Sequence, residues 1–220
     1  MYNITIVSQN KEEFFGTIDF PDPAEPSMVG FMATKTRQDT EDKKTKQLLH
    51  YLDLAMAPKV GQEAAVDNFS AELLRGLDYD NVNRIIFIRH AIPFLICGEN
   101  SVSQTDICIL DDNEILLLLQ VDENLTSMKD PEPQIIAEAI AAFALNNQKQ
   151  ECDLYLPLCD SIMFPYLTIA VQTGTFPEIE THVFGYIPAL PCRNSEGMCP
   201  LLNRLEILQC LEAFKRFLGN

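Results

Sequence analysis

Thr105 to Glu123, TDICILDDNEILLLLQVDE, constrains this chain more than any other stretch. Two apolar runs flank Asp111-Asp112-Asn113-Glu114, and Asp and Asn are favoured where a chain reverses tightly. The segment therefore reads as a β-hairpin. One acid, Asp106, stands on its first strand, and a polar group of Gln120, Asp122 and Glu123 closes its second. A turn of two residues (Asp112-Asn113) or four (Asp111 to Glu114) sets Asp106 opposite Leu119, on one face with Val121 and Glu123. A three-residue loop instead puts Asp106 on the face of Gln120 and Asp122. The first register suits this turn chemistry better.

These positions matter because hydrolysing a phosphodiester with Mg²⁺ takes hard oxygen ligands from at least two carboxylates. It also takes a group that steadies charge and positions the attacking water. One face of the hairpin offers Asp106, Val121 and Glu123; the other register offers Asp106, Gln120 and Asp122. Neither contains a lysine. A divalent ion would need Asp106, Glu123 and a third carboxylate, for which Glu72 on a preceding helix is the candidate.

Charge points away from a phosphate-gripping surface. The chain has 16 basic against 32 acidic residues, a net charge of −16. Neutralising phosphates supplies most nucleic-acid affinity, so nucleic acid is a disfavoured partner. The bases gather in one place, Lys35, Arg37, Lys43, Lys44 and Lys46, interleaved with Asp39, Glu41 and Asp42. That mixture reads most simply as a solvated loop or helix start. No run of about 18 apolar residues is present, so no membrane span is expected, and the first residues do not resemble a signal peptide. The odd count of seven cysteines suits a reduced, intracellular protein, cytoplasmic or nuclear. Cys97 and Cys108 sit in apolar runs and are expected in the core. Cys152/Cys159 and Cys192/Cys199 are spaced more widely than structural zinc ligands usually are. His50, His90 and His182 lie in no nucleophile context, and no glycine-rich phosphate loop occurs.

Along the chain, residues 2–8 alternate as a short peripheral strand, and 19–47, with three prolines, read as a loop or partly disordered arm. Gln47 to Met56 and Val66 to Leu77 have helical spacing. Arg84 to Cys97 is β-branched and aromatic, with Pro93 marking a bend or bulge. Asp130-Pro131-Glu132-Pro133 opens a helix running to about residue 148. Asp153 to Leu158, Tyr166 to Gln172 and Thr181 to Ile187 read as strands, and Leu201 to Leu218 as a last amphipathic helix. The order implies an α/β (α+β) fold with a central mixed sheet flanked by helices. The expected division is an N-terminal strand, arm and helix over 1–58 and a core over 59–220, together one compact domain.

CGENSVSQTDICILDDNEILLLLQ from Cys97, DPEPQIIAEAIAAF from Asp130 and EGMCPLLNRLEILQCLEAFKRF from Glu196 resemble a group of fungal proteins with a PD-(D/E)xK nuclease-like core. The similarity covers roughly residues 60 to 218. It implies a restriction-endonuclease-like core in which Asp106 and the end of the second strand hold the metal. In the family that strand ends Gln-Glu-Asp-Lys; here it reads Gln120-Val121-Asp122-Glu123. Val121 therefore stands at the acid and Glu123 at the lysine, so the motif is degenerate. Gln134 and Glu138, one turn apart on the following helix, match positions that line the family's cleft. The resemblance thus implies a nuclease-like fold acting as a binding or scaffold protein for a protein or small-molecule ligand. The alternatives are a Mg-dependent phosphodiesterase with a variant site, or an enzyme with a repurposed cleft.

Overall fold

The computed structural model describes residues 3–17, 19–57, 62–112, 114–119, 132–147, 170–176, 180–190 and 197–218. The chain is α+β, with two separate sheets. β1 (Ile4–Ser8) pairs in parallel with β5 (Thr181–Gly185), from Ile4–Thr181 to Ser8–Gly185. β2 (Arg84–Ile96), β3 (Glu99–Asp111) and β4 (Glu114–Leu119) form an antiparallel meander. The described strands thus separate parallel from antiparallel pairing and do not join in one mixed sheet.

Helices cover both faces of the meander. On one side lie α2 (Pro26–Ala33), α3 (Lys43–Ala55), α4 (Gln62–Gly76) and α6 (Leu201–Phe214). Their Met28, Phe31, Leu49, Leu52, Leu74 and Leu208 pack with Ile86, Ile107 and Ile109 into the main core. That cluster spans residues on both sides of position 58. Burying each such side chain stabilises the fold by about 1.5–3 kcal/mol. On the other side α5 (Glu132–Asn147) lays Ala141 and Ala142 against Ile92, Cys108 and Ile115. Its Ile140 and Phe143 meet Val171 and, from β1, Ile4.

The segment expected to be a loop or disordered arm is ordered and mostly helical. In α2, PSMVGFMA, Pro26 occupies the first turn, where its missing N–H costs nothing. Glu25 accepts from the amides of Ser27 and Met28. Met28 and Phe31 are fully buried, so apolar burial outweighs the composition of the flanks. A turn of 3-10 helix follows at Arg37–Asp39, and α3 starts at Lys43 because Asp42 caps it, accepting from the Thr45 amide at 2.7 Å. A short helix, α1 (Lys11–Phe15), was also unanticipated. Asn10 and Glu13 form a reciprocal capping box, and Gly16 ends it with φ 57°.

Other expectations are met or moved. β1, β5, α3 to α6 and the strand from Arg84 lie where the patterns put them, within a few residues. Asp153 to Leu158 lies outside the described residues. Residues 170–172, expected in a strand, are helical. Cys108 is buried, but Cys97 is exposed, in the left-handed region at φ 51° in the β2–β3 turn. Cys152, Cys159 and Cys192 lie outside the described residues.

The β3–β4 register differs from the favoured one. Near the turn Asp111 pairs with Glu114 and Leu110 with Ile115, as a four-residue turn requires. A bulge between Ile109 and Leu110 then adds a residue on β4, so Leu119 pairs with Ile107 and not with Asp106. The distal ladder therefore follows the register expected for a three-residue loop.

Candidate functional site

Asp106, Gln134 and Glu138 come together where α5 crosses the meander. Gln134 and Glu138 are one helical turn apart, and Gln134 Nε2 donates to Glu138 Oε1 at 3.2 Å. Glu138 is 1 % exposed, and its second oxygen, Oε2, is buried without a hydrogen-bond partner. Burial raises its pKa above the ordinary carboxylate value; the hydrogen bond from Gln134 pulls it down, and the charge of Asp106 pushes it up again. A buried carboxyl with one unpaired oxygen and an acid nearby is held towards its neutral form. Thr105, also fully buried, donates its hydroxyl to the carbonyl of Ile107 at 3.1 Å.

The cluster sits at a change of direction in the sheet. Ile86 and Ile88 of β2 pack into the main core, whereas Ile92 and Phe94 pack with α5. Arg89, at the changeover, has φ 57°, which costs a non-glycine residue about 1–3 kcal/mol. Ile88–Ile107 and His90–Thr105 pairs flank Arg89 and Asp106, so the register passes through without a slip. Arg89 Nε donates to Asp67 Oδ2 of α4 at 3.1 Å, and Asp67 is 2 % exposed. Two acid-bearing units, Asp67–Arg89 and Asp106–Glu138–Gln134, thus meet the ribbon at its bend.

Asp67 and Arg89 escaped the sequence reading. The signal was present: Asp67 occupies the buried stripe of α4 with Ala71 and Leu74, at i, i+4 and i+7. Arg89 interrupts a β-branched strand. Glu72, by contrast, is placed elsewhere. It accepts from Arg75 at 2.5 Å and lines a cleft of about 210 Å³ with Ser27, Lys44 and Tyr51. Glu123, Asp122 and Gln120 lie outside the described residues.

Mg²⁺ asks for ionised oxygens converging on one point. Glu138 is held towards neutrality, Glu72 is engaged by Arg75 in another cleft, and no group of three His, Cys, Asp or Glu is arranged for a metal among the described residues. Of the expected ligands Glu72, Asp106 and Glu123, the last lies outside the described residues. What the seam can do is pack a polar stretch of α5 against the sheet. None of the described helices is long and apolar enough to cross a membrane. No family model, curated protein or solved structure matches the chain.

Proposed function

We propose that this chain is a binding or scaffold protein on a PD-(D/E)xK nuclease-like core whose metal site has been converted into a structural polar seam. The observation that carries this is the state of Glu138. A carboxyl that is buried, held towards neutrality chiefly by that burial and bonded by Gln134 is a poor ligand for a hard cation. The strand-end substitutions agree: Val121 offers no ligand, and Glu123 cannot supply the positive charge of a lysine.

Calorimetric titration with Mg²⁺ and Mn²⁺ of the wild type and Asp106→Ala tests the reading. The expected result is no saturable binding in either protein and no metal-dependent cleavage of plasmid DNA. Tight binding that Asp106→Ala abolishes would overturn the proposal in favour of a metal-dependent phosphodiesterase with a variant site.

A further inference from the structure

The bases that looked like a solvated mixed-charge segment are sorted by the fold. Lys43, Lys46, Gln47 and His50 fall at i, i+3, i+4 and i+7 of α3, hence on one face about 10 Å long. With Arg37 and Gln38 they line a cavity of about 510 Å³, and no carboxylate is among its lining residues. The interleaved acids are used elsewhere. Asp42 caps α3 through the Thr45 amide, and Asp39 accepts from the amide and hydroxyl of Thr36 at 3.0 and 2.7 Å. Asp53 fixes Arg37 at 2.8 Å, which orients the guanidinium. Glu41 reaches Lys46 only at 3.9 Å and is 97 % exposed, so it neutralises little.

The adjoining cleft, on the other side of Gln47, is a useful contrast. There Lys44 is matched by Glu25 at 3.2 Å and Arg75 by Glu72 at 2.5 Å. Both arginines are matched, Arg37 by Asp53 and Arg75 by Glu72. The clefts differ in their lysines: Lys44 is matched at 3.2 Å, whereas Lys46 meets Glu41 only at 3.9 Å and Lys43 has no ion pair among the described residues.

We propose that the α3 groove binds a small, multiply phosphorylated anion. Its lining of ammonium, guanidinium, imidazole and amide groups calls for a ligand that presents acceptors nearly all round. These groups stand on the aliphatic stems of Lys, Arg and Gln, and the imidazole of His50 is the only ring among the lining residues. The volume lies in the range of roughly 300–1,000 Å³ typical of small-molecule sites, larger than one phosphate needs. A chain carrying −16 repels long polyanions. A compact ligand engages the local positive field within a Debye length of about 8 Å at physiological ionic strength. The groove uses no residue of the Asp106–Glu138 seam, so this inference and the proposed function fail independently.

The test is calorimetry with tripolyphosphate and inositol hexakisphosphate, on the wild type, Lys43→Gln/Lys46→Gln, and Lys44→Gln from the neighbouring cleft. All three lysines are exposed, so the fold should tolerate their loss. Saturable, salt-sensitive binding should weaken at least about tenfold in the double variant and stay unchanged in Lys44→Gln. In the wild type, tripolyphosphate should also protect Lys43 and Lys46 from chemical acetylation. A parallel arm compares vesicles containing phosphatidylinositol bisphosphate with the soluble headgroup. Binding of both identifies a lipid source, and binding of soluble anions alone a free one. No heat with any soluble anion, or equal affinity in the double variant, overturns the proposal. So does binding confined to duplex nucleic acid.

Discussion

Glu138 contributes to stability with a sign that depends on pH. In the unfolded chain its carboxyl ionises near pH 4.3; in the fold, burial raises that value. Below the unfolded pKa both states hold the proton and the group costs nothing. As pH rises, the unfolded state ionises first, so stability is lost until the pH passes the folded pKa. Glu138→Gln keeps an acceptor for Gln134 and removes the titration. Its melting temperature should exceed that of the wild type at pH 8, by the equivalent of about 1 kcal/mol or more, and the gain should vanish near pH 4. Thermal melts at the two pH values check this; a variant less stable at pH 8 would show that the ionised carboxylate is the useful form. Asp106 stood out from its place on the hairpin's first strand, and Gln134 and Glu138 from the family resemblance. Asp67 and Arg89 were not legible: their pairing spans 22 residues and depends on the left-handed turn at Arg89, which no local pattern announces.

Elements were easiest to read where periodicity acted alone and hardest where a single side chain decided the outcome. β4 is an example. Its bulge shifts the ladder by one residue, and α5 compensates through Asn146, which is 4 % exposed. The Asn146 amide donates to the Ile115 carbonyl and accepts from the Ile115 N–H, both at 3.0 Å, as a neighbouring strand would. Replacing it with leucine leaves two buried backbone groups unpaired, at about 2 kcal/mol. Hydrogen exchange should show faster exchange at the Ile115 amide, with β2–β3 amides such as that of Ile86 largely unaffected. Unchanged exchange at Ile115 would mean that β4 does not rely on the helix. The misjudged register has the same origin: turn residues predict the pairs beside a turn, but not a bulge two pairs away. α2 was missed for a different reason, since prolines on its flanks suggested a loop while its Met28 and Phe31 were the buried anchors.

For the molecule as a whole, the α+β class followed from the alternation of patterns. The division into two sheets did not, because β1 and β5 are 177 residues apart at Ile4 and Thr181, and only the folded chain relates them. The same long reach appears in Arg204 of α6, which is 2 % exposed. Its guanidinium donates to the carbonyls of Phe31 at 2.9 Å, Thr34 at 2.7 Å and Met198 at 2.7 Å, and stacks over the Phe31 ring at 4.7 Å. These bonds take up carbonyls where α2 ends, which a helix cannot satisfy internally. Arg204→Met should therefore lower unfolding free energy by about 3 kcal/mol in urea titrations, and Arg204→Lys should recover only part of it, lacking the planar fork. A loss below about 0.5 kcal/mol would mean that water replaces the guanidinium freely.

Arg204 also sets an order of events in the cell. At a synthesis rate of about 5–20 residues per second, the ribosome needs on the order of ten seconds or more to travel from Lys35 to Arg204. Throughout that interval the end of α2 waits with carbonyls exposed, and Phe31 lacks its covering cation. The contacts that close the end of α2 can thus form only after α6 has emerged.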